Sequence, residues 1–381
     1  MRDAVIVQAV RSPIGKRAGM LAGVHPADLS AQVLQGLATA ASLDPTLVDD
    51  VVWGCVGQVG EQTFDIGRTA VLSAGWPESV PGTTVDRQCG SSQQAISFAA
   101  ASVIAGHGDV VVAGGVESMS RVPMGSSYGD QVPIGTLYEK RYGPGMPNQG
   151  LGAEEIARRW SLSRTDLDAY AVRSHQRAAA AVEAGAFERQ LVEIETPDGT
   201  VRADEGIRPE STVETLAGLK TPFQADGVVS AGNASQISDG SAAVLITTSE
   251  VAAAHGWTPL VRVHTAVVAG SDPNIMLTGP IPATTKALER SGLSLEDIGA
   301  FEVNEAFASV PLAWQAEFGV PEERLNPLGG AIALGHPLGG SGARIATTLV
   351  HHMVDNGIRY GLQTMCEGGG QANATIFELL A

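Results

Sequence analysis

An internal duplication is the feature of this sequence that most constrains its fold. The stretch LDPTLVDDVVWG begins at Leu43, and the similar stretch LSLEDIGAFEVN begins at Leu293, 250 residues later. A helical pattern of apolar residues that begins at Ala95 recurs from Ile345 at the same separation, and the strand-like segments DVVVAGG and YGLQTMCEGGG lie nearly as far apart. The sequence therefore predicts two copies of one α/β unit.

The apolar runs inside these copies indicate what kind of sheet they form. Segments such as VVVAGG and AAVLITT are continuously apolar, which is typical of strands that are buried on both faces. Helices must then cover both sides of each sheet. We therefore predict an α/β fold with helix-covered, mostly parallel sheets.

The residues between the two copies have a different character. From about residue 118 to residue 235 the sequence is rich in turns, then strongly helical, and it has no counterpart in the second half. We interpret this stretch as an inserted lid or binding subdomain. The predicted division is an N-terminal half formed by residues 1–117 and 236–259, an inserted loop domain at 118–235, and a C-terminal half at 260–381.

Charge and hydropathy exclude several classes of partner. The formal net charge of −17 argues against nucleic acid and against an anionic membrane surface. No apolar run approaches the length of a membrane span, and the amino terminus MRDAVIVQAVRSP is typical of a strand and a loop rather than of a signal peptide. We expect a cytoplasmic protein in which 381 residues form two or three packed units.

The three cysteines, Cys55, Cys89 and Cys366, form neither a disulfide framework nor a C-x-x-C pair, so we expect reduced thiols and no metal site. Cys89, in TTVDRQCGSSQQAISFAA, lies at a strand-to-helix junction, where free N–H groups and the helix dipole would favour a thiolate. Cys55 lies inside an apolar strand pattern and is interpreted as an inert core residue.

The duplication predicts which reactive residues meet. Cys89 corresponds to Gly339, three residues from His336, and the strand end near Gly115 corresponds to the one near Cys366. If a pseudo-twofold axis relates the halves, the two thiols and the imidazole share one pocket. A thiol beside a histidine generates a nucleophile at neutral pH, and a second thiol adds an acid or base. The spacing alone also allows a structural histidine with two buried thiols.

Four ordered blocks, VDRQCGSSQQA, NEAF, GHPLGGSGAR and CEGGG, resemble the signature blocks of the thiolase family, and the similarity spans nearly the whole chain. The resemblance implies the thiolase fold. In that fold, two duplicated α/β halves carry helix-covered, five-stranded, mostly parallel mixed sheets in αβαβα layers, with an inserted loop subdomain.

The resemblance also implies roles for individual residues. Cys89 matches the nucleophile that accepts the acyl group, His336 the base that takes its proton, and Cys366 the acid and base at the acetyl α-carbon. Asn304 matches the asparagine whose water, together with His336, forms the oxyanion hole for the acetyl-CoA enolate. The N–H groups of Cys89 and Gly368 would form a second oxyanion hole.

The same resemblance implies coenzyme A as a substrate, with no resident cofactor and no metal. Six residues match positions that contact coenzyme A in the family: Arg208, Phe223, Ala231, Ser235, Ala306 and Phe307. Asn148 and Gln149 stand where thiolases commonly carry His-Met near the acyl pocket, so a different acyl specificity is expected. CoA thioesters are the expected partners, and a homodimer or homotetramer the expected assembly.

These observations predict a thiolase that reversibly cleaves a 3-ketoacyl-CoA to acetyl-CoA and a shortened acyl-CoA through an acyl-cysteine. The degradative direction is preferred, and an acetoacetyl-CoA-specific biosynthetic thiolase is the main alternative. A ketosynthase-like condensing enzyme, a cysteine hydrolase and a non-catalytic scaffold are three further alternatives. The CEGGG block argues against a ketosynthase, because those enzymes lack a second cysteine at this strand end.

Overall fold

The computed structural model describes residues 2–380. Its strands are β1 (Val5–Arg11), β2 (Gly15–Lys16), β3 (Asp50–Gly54), β4 (Thr83–Val85), β5 (Val110–Ser118), β6 (Ile194–Thr196), β7 (Gly199–Val201), β8 (Ser238–Thr247), β9 (Val261–Gly270), β10 (Ala300–Val303), β11 (Tyr360–Glu367) and β12 (Gln371–Leu379). Its α-helices are α1 (Pro26–Ala41), α2 (Ile66–Ser73), α3 (Ser91–Ala105), α4 (Thr136–Tyr142), α5 (Gln149–Arg159), α6 (Arg164–Glu183), α7 (Val213–Ala217), α8 (Ser249–His255), α9 (Pro280–Ser291), α10 (Ser309–Phe318), α11 (Ala331–Leu334) and α12 (Ser341–Asn356).

Local sequence signals set several of these helix boundaries. Ser163 and Asp166 form a reciprocal capping box at the start of α6. Pro280 occupies the first turn of α9, where its missing N–H costs nothing. Gly106 and Gly357 end α3 and α12 in the left-handed conformation that glycine adopts without strain. None of the helices in residues 2–380 is both long enough and apolar enough to cross a membrane.

The sheet confirms the duplication that the sequence predicts. The strand order is β10-β11-β12-β9-β1-β8-β5-β3-β4, with β2 attached to β8. Each half repeats one order, since β3, β5, β8 and β1 occupy the places that β10, β11, β12 and β9 hold in the second half. The place of β4 is taken in the second half by one parallel bridge between Phe301 and Leu325. A two-residue antiparallel pairing of β1 with β9 joins the halves at one corner.

Strand direction differs from the predicted mostly parallel arrangement, although the α/β fold class is confirmed. Among the described residues of this sheet, three pairings are parallel, β3 with β4, β3 with β5, and β10 with β11. The other six are antiparallel. The segments VVVAGG and AAVLITT lie in β5 and β8, which are antiparallel and fully buried. A continuously apolar strand indicates that helices cover both faces of the sheet. It does not indicate whether the strand runs parallel or antiparallel to its neighbours.

The helices complete the five predicted layers. Helices α3 and α12 lie in the centre, contact each other, and pack against strands of both halves. Helices α1 and α2 cover the outer face of the first half, and α9 covers that of the second. The central pair matters for function, because the amino-terminal ends of α3 and α12 follow Cys89 and His336 respectively.

The residues between β5 and β8 form helices α4 to α7 and the β6–β7 hairpin. A buried ion pair attaches this segment to the first half. Both terminal nitrogens of Arg11 donate to the Asp204 carboxylate, at 2.7 and 2.9 Å, and the guanidinium lies over the Phe187 ring at 5.0 Å from its centre. The Arg11 side chain is fully buried, so the charge is neutralised where water cannot reach it.

Candidate active site

The turn that carries Cys89 lies between β4 and α3 and is held tightly by its own residues. The N–H of Arg87 donates to Ser91 Oγ at 2.9 Å, and that hydroxyl donates to the Gln88 carbonyl oxygen at 2.6 Å. Gln88 has a φ of +48°, in the left-handed region that residues other than glycine rarely adopt. Cys89 follows it, is 6% exposed, and packs against Ile345. The thiol is therefore fixed by a strained turn and shielded from most water.

His336 lies in the loop before α12, and its hydrogen bonds leave one ring nitrogen free to act as a base. Its backbone N–H donates to Ser238 Oγ at 3.1 Å, and its Nδ1 lies 2.6 Å from Ser341 Oγ. The Ser341 hydroxyl donates its hydrogen to the Pro337 carbonyl oxygen at 3.0 Å, so it must accept from Nδ1–H. The proton is thus on Nδ1, and Nε2 keeps the lone pair that can accept a proton.

Ser341 and Ser238 are not among the site residues that the sequence predicts. Ser341 carries a usable signal, because it follows His336 by five residues within the block GHPLGGS. Ser238 carries none, since it comes from β8 in the other half of the chain, and only the fold brings it to the His336 backbone.

Removing the Ser341 hydroxyl should slow both half-reactions. In Ser341→Ala, His336 loses the partner that fixes its tautomer, and we expect acyl transfer to fall by roughly 10- to 100-fold through misplacement of the base. Stopped-flow measurement of acyl-enzyme formation tests this. Ser309→Ala is a matched control, because the Ser309 hydroxyl is buried without a hydrogen-bond partner among the described residues. Equal rates in Ser341→Ala and the parent protein would contradict the assigned tautomer role.

Asn304 and Cys366 reach the site from neighbouring parallel strands. Asn304 directly follows β10, Cys366 lies one residue before the end of β11, and carboxyl ends of parallel strands meet at one edge of a sheet. The Asn304 amide nitrogen lies 3.4 Å from His336 Nε2. Its Oδ1 is buried without a partner among the described residues, so it can accept a hydrogen bond from a bound water.

Burial keeps the three reactive groups neutral. Burial, followed by the nearby Glu367 carboxylate, raises the pKa of Cys89 to about 12. Burial and then the neighbouring Cys89 raise the pKa of Cys366. Burial and then the Arg344 charge lower the pKa of His336 to about 3. The expectation of a resting thiolate at Cys89 is therefore wrong, because desolvation outweighs the helix dipole. Ionisation of Cys89 has to be coupled to proton transfer.

Glycine in the GHPLGGSGAR block allows α3 and α12 to pack closely against each other. A Cβ on Gly342 would lie 2.2 Å from the backbone nitrogen of Gln93, so no other residue fits without moving α3. The hydrogen bonds outside the helices and strands of residues 2–380 use neither the Cys89 N–H nor the Gly368 N–H. The oxyanion hole formed by these two N–H groups stays a prediction.

The structure brings together four of the six predicted coenzyme A contacts. The Ser235 N–H donates to the Ala306 carbonyl oxygen at 2.9 Å, and the Phe223 and Phe307 rings meet edge to face at 6.1 Å. Arg208 stands apart on an exposed loop that His175 holds.

Ala231 lies exposed in a turn that is hydrogen-bonded to the residue directly after the NEAF block. Two residues further on, the Asn233 carbonyl oxygen accepts from the Ala308 N–H at 2.9 Å.

Asn148 and Gln149 lie at the start of α5. The Asn148 side chain caps this helix by accepting from the N–H groups of Gly150 and Leu151 at 2.9 and 3.2 Å, so its oxygen is already used. Gln149 is half-buried in the first turn. A Cβ on Gly150 would lie 2.1 Å from the Phe223 ring, which places this turn beside the predicted coenzyme A contacts.

No group of three or more His, Cys, Asp or Glu side chains in the described part of the chain could hold a metal ion. A duplicated αβαβα fold whose centre holds two buried thiols and a neutral imidazole defines an acyltransferase that works through a cysteine.

Comparisons with known proteins identify the family. The family model "Thiolase, N-terminal domain" matches residues 4–250, and "Thiolase, C-terminal domain" matches residues 257–379. The chain therefore belongs to the thiolase family, and both the resemblance and the acyltransferase class predicted from the sequence are confirmed.

Relatives with several substrate names are similar to the chain. A steroid 3-ketoacyl-CoA thiolase of Mycobacterium tuberculosis is 48% identical, over 100% of this chain and 95% of the relative. A beta-ketoadipyl-CoA thiolase of Escherichia coli is 44% identical, over 99% of this chain and 100% of the relative. The crystal structure of the Bacillus anthracis acetyl-CoA acetyltransferase superposes with a TM-score of 0.91 at 40% identity, covering 100% of this chain and 99% of that one.

Proposed function

We propose that this thiolase degrades a 3-ketoacyl-CoA to acetyl-CoA and a shortened acyl-CoA, with Cys89 as the nucleophile. The observation that carries the proposal is the meeting of groups from both halves. The His336 backbone N–H donates to Ser238 Oγ at 3.1 Å, Cys89 packs against Ile345, and Cys89 is near enough to Cys366 to raise its pKa. Each half alone would lack part of this set.

In the first half-reaction, Cys89 gives its proton to His336 Nε2 as the sulfur attacks the 3-keto carbon. The bond between the α- and β-carbons then breaks, and its electron pair passes into the enolate of acetyl-CoA. The Asn304 side chain, through a bound water, and His336 would stabilise the enolate oxygen. Cys366 gives a proton to the α-carbon, which releases acetyl-CoA and leaves an acyl group on Cys89.

In the second half-reaction, a CoA thiol attacks the acyl-cysteine. The CoA proton restores the Cys366 thiol, His336 holds the proton that returns to the Cys89 sulfur, and the tetrahedral oxyanion receives hydrogen bonds from the N–H groups of Cys89 and Gly368. Collapse expels the Cys89 sulfur, which regains a proton, and the shortened acyl-CoA leaves. Run in reverse, the same steps form a carbon–carbon bond, and reactant concentrations set the direction.

A neutral thiol and a neutral imidazole suit this chemistry in a site that excludes water. The pKa of His336, lowered to about 3, keeps Nε2 unprotonated at neutral pH. The thiolate therefore forms only as the carbonyl carbon is attacked, when oxyanion-hole donors compensate the new charge.

We also propose that the acyl chain is longer than that of acetoacetyl-CoA. The support is the Asn148-Gln149 pair at the start of α5, where the family commonly carries His-Met, together with the steroid and ketoadipyl substrates in the names of two relatives. The likeness to an acetyl-CoA acetyltransferase favours the alternative, an acetoacetyl-CoA-specific enzyme.

A panel of 3-ketoacyl-CoA substrates separates these two proposals. We expect kcat/KM for thiolysis to rise by at least about tenfold from acetoacetyl-CoA to medium-chain, dicarboxylic or steroid side-chain substrates, because each buried methylene adds binding free energy. Acetoacetyl-CoA as the best substrate of the panel would overturn the longer-chain proposal while leaving the thiolase activity intact.

The remaining expectations complete the proposal. Arg208, Phe223, Ala231, Ser235, Ala306 and Phe307 would contact coenzyme A, and the inserted segment at 118–235 would supply most of that surface. The family resemblance supports a homodimer or homotetramer, and the cytoplasm is the expected location. Light scattering of the purified protein would decide between the two assemblies.

A further inference from the structure

Glu367 is a buried carboxylic acid beside the reactive groups that the proposed mechanism does not use. It follows Cys366 at the end of β11, is fully buried, and neither of its side-chain oxygens has a hydrogen-bond partner among the described residues. Its side chain faces the turn of the nucleophile, since a Cβ on Gly90 would lie 2.0 Å from Glu367 Oε1. A buried, unpaired carboxylate would be costly, so the group requires an explanation.

The duplication supplies a comparison within the same chain. Glu117 stands 250 residues earlier, at the equivalent end of β5, and is also buried. Its carboxylate accepts from four donors at 2.7 to 3.0 Å: the N–H groups of Val56, Gly57 and Gly339, and the side-chain amide of Gln62. Glu117 thus has four donors around its carboxylate. Neither oxygen of Glu367 has a hydrogen-bond partner among the described residues, although the Asn373 backbone N–H is near enough to lower its pKa.

A second unpaired acceptor lies beside Glu367. Asn373 Oδ1 on β12 is buried without a partner among the described residues, and it lies 2.3 Å from the same Gly90 Cβ position. The Asn373 amide nitrogen donates to the Gly90 carbonyl oxygen at 3.5 Å, which turns Oδ1 toward Glu367. Two acceptor oxygens that face one point repel each other unless one carries a hydrogen. A protonated Glu367 supplies that hydrogen.

The charged and titratable groups around Glu367 lie in the turn of Cys89 and on β11. Arg87, in the turn before Cys89, directs Nη1 to Gln371 Oε1 at 3.0 Å. Asp86 in the same turn adds a negative charge, and Cys89 and Cys366 are neutral thiols. Burial raises the pKa of Glu367 to about 8, and the Arg87 charge and the Asn373 backbone N–H oppose this rise.

We propose that Glu367 is a positioning residue that works as a neutral acid hydrogen-bonded to Asn373, and that losing its proton places a negative charge beside Cys89 and suppresses formation of the thiolate. The proposal rests on the proposed role of Cys89 as the nucleophile. The direction of the pH effect follows from the charge of Glu367. Glu367 is uncharged at low pH and becomes charged as the pH rises, and its negative charge then opposes a second negative charge at the Cys89 sulfur.

Alkylation of Cys89 by iodoacetamide, mapped by mass spectrometry in the full-length protein, tests the proposal because the rate follows the thiolate population. In Glu367→Gln, a neutral amide replaces the acid. We expect the variant and the parent to react at similar rates near about pH 6.5, and the variant to react about tenfold faster near about pH 9.5. Glu250→Gln, an exposed carboxylate on α8, is the control and should follow the parent at every pH.

The outcomes separate this proposal from the proposed function. A rate ratio that stays constant with pH overturns the role of Glu367, whether the constant is near one or large. Failure of Cys89 to react in any of these proteins, while another cysteine does, instead contradicts its role as nucleophile. If Glu367→Gln does not fold, the parent alone decides: a tenfold rise per pH unit without a break across the range overturns the proposal, and a break to a smaller slope supports it.

Discussion

Replacing Cys89 by serine should abolish acyl-enzyme formation and lower the rate of thiolysis by at least about 10⁴-fold. A serine hydroxyl fits the same strained turn, but it is a far weaker acid than a thiol, so transfer of its proton to His336 during attack is much less favourable than transfer from Cys89. Intact-protein mass spectrometry after incubation with a 3-ketoacyl-CoA measures the acyl adduct directly. The parent should gain the mass of one acyl group and Cys89→Ser none.

Cys55 provides the matched control for this experiment. Its thiol is also fully buried and has a raised pKa, primarily through burial, but it donates to Glu117 Oε1 at 4.0 Å. Cys55→Ala should keep the adduct and most of the activity. An acyl adduct that persists at residue 89 in Cys89→Ser, or one that disappears only in Cys55→Ala, would assign the chemistry to a different group.

Replacing Cys366 by alanine should separate the two halves of the reaction. We expect cleavage and condensation to fall by about 10²- to 10⁴-fold, because no group remains to move the proton at the acetyl α-carbon. Transfer of an acyl group between Cys89 and coenzyme A involves no such proton and should be partly retained. Exchange of the acetyl-CoA α-protons with deuterated solvent, followed by NMR, measures the missing step.

The serine variant at the same position distinguishes lost chemistry from lost packing. Cys366 is 1% exposed, so alanine leaves a small cavity, whereas Cys366→Ser fills nearly the same volume with a group that is a poor acid. Both variants should lose α-proton exchange if the thiol carries the proton. Exchange at the parent rate in either variant would show that another group does so.

The two glutamates at the ends of β5 and β11 show how duplication yields unequal sites. Glu117 accepts an N–H from Gly339 in the His336 loop and fixes that loop, whereas Glu367 faces Gly90 in the Cys89 turn without a donor. Glutamate at equivalent positions therefore has two different roles. Glu117 anchors the His336 loop, whereas Glu367 lies beside the Cys89 turn as an unpaired acid. The proposed role of Glu367 is to make the Cys89 turn sensitive to charge.

Much of the fold could be predicted from the sequence because duplication is a pattern in the chain itself. The separation of 250 residues predicts two similar halves, and the β3 and β10 strands do occupy equivalent places. Strand direction could not be predicted, because β5 and β8 are buried on both faces and apolarity is insensitive to direction. The four motif blocks identified the family before any geometry was known, since each carries residue types that packing alone does not require.

The sequence by itself determined which chemistry this protein carries: two thiols, an imidazole and an amide in four blocks, repeated in a duplicated α/β chain. Only the tertiary structure decided how those groups behave. Burial makes Cys89 a neutral thiol although it precedes a helix, Ser341 fixes the His336 proton on Nδ1, and Glu367 is left without a donor. The physical reason is that desolvation and hydrogen-bond partners depend on residues distant in the chain, which the folded structure alone brings together.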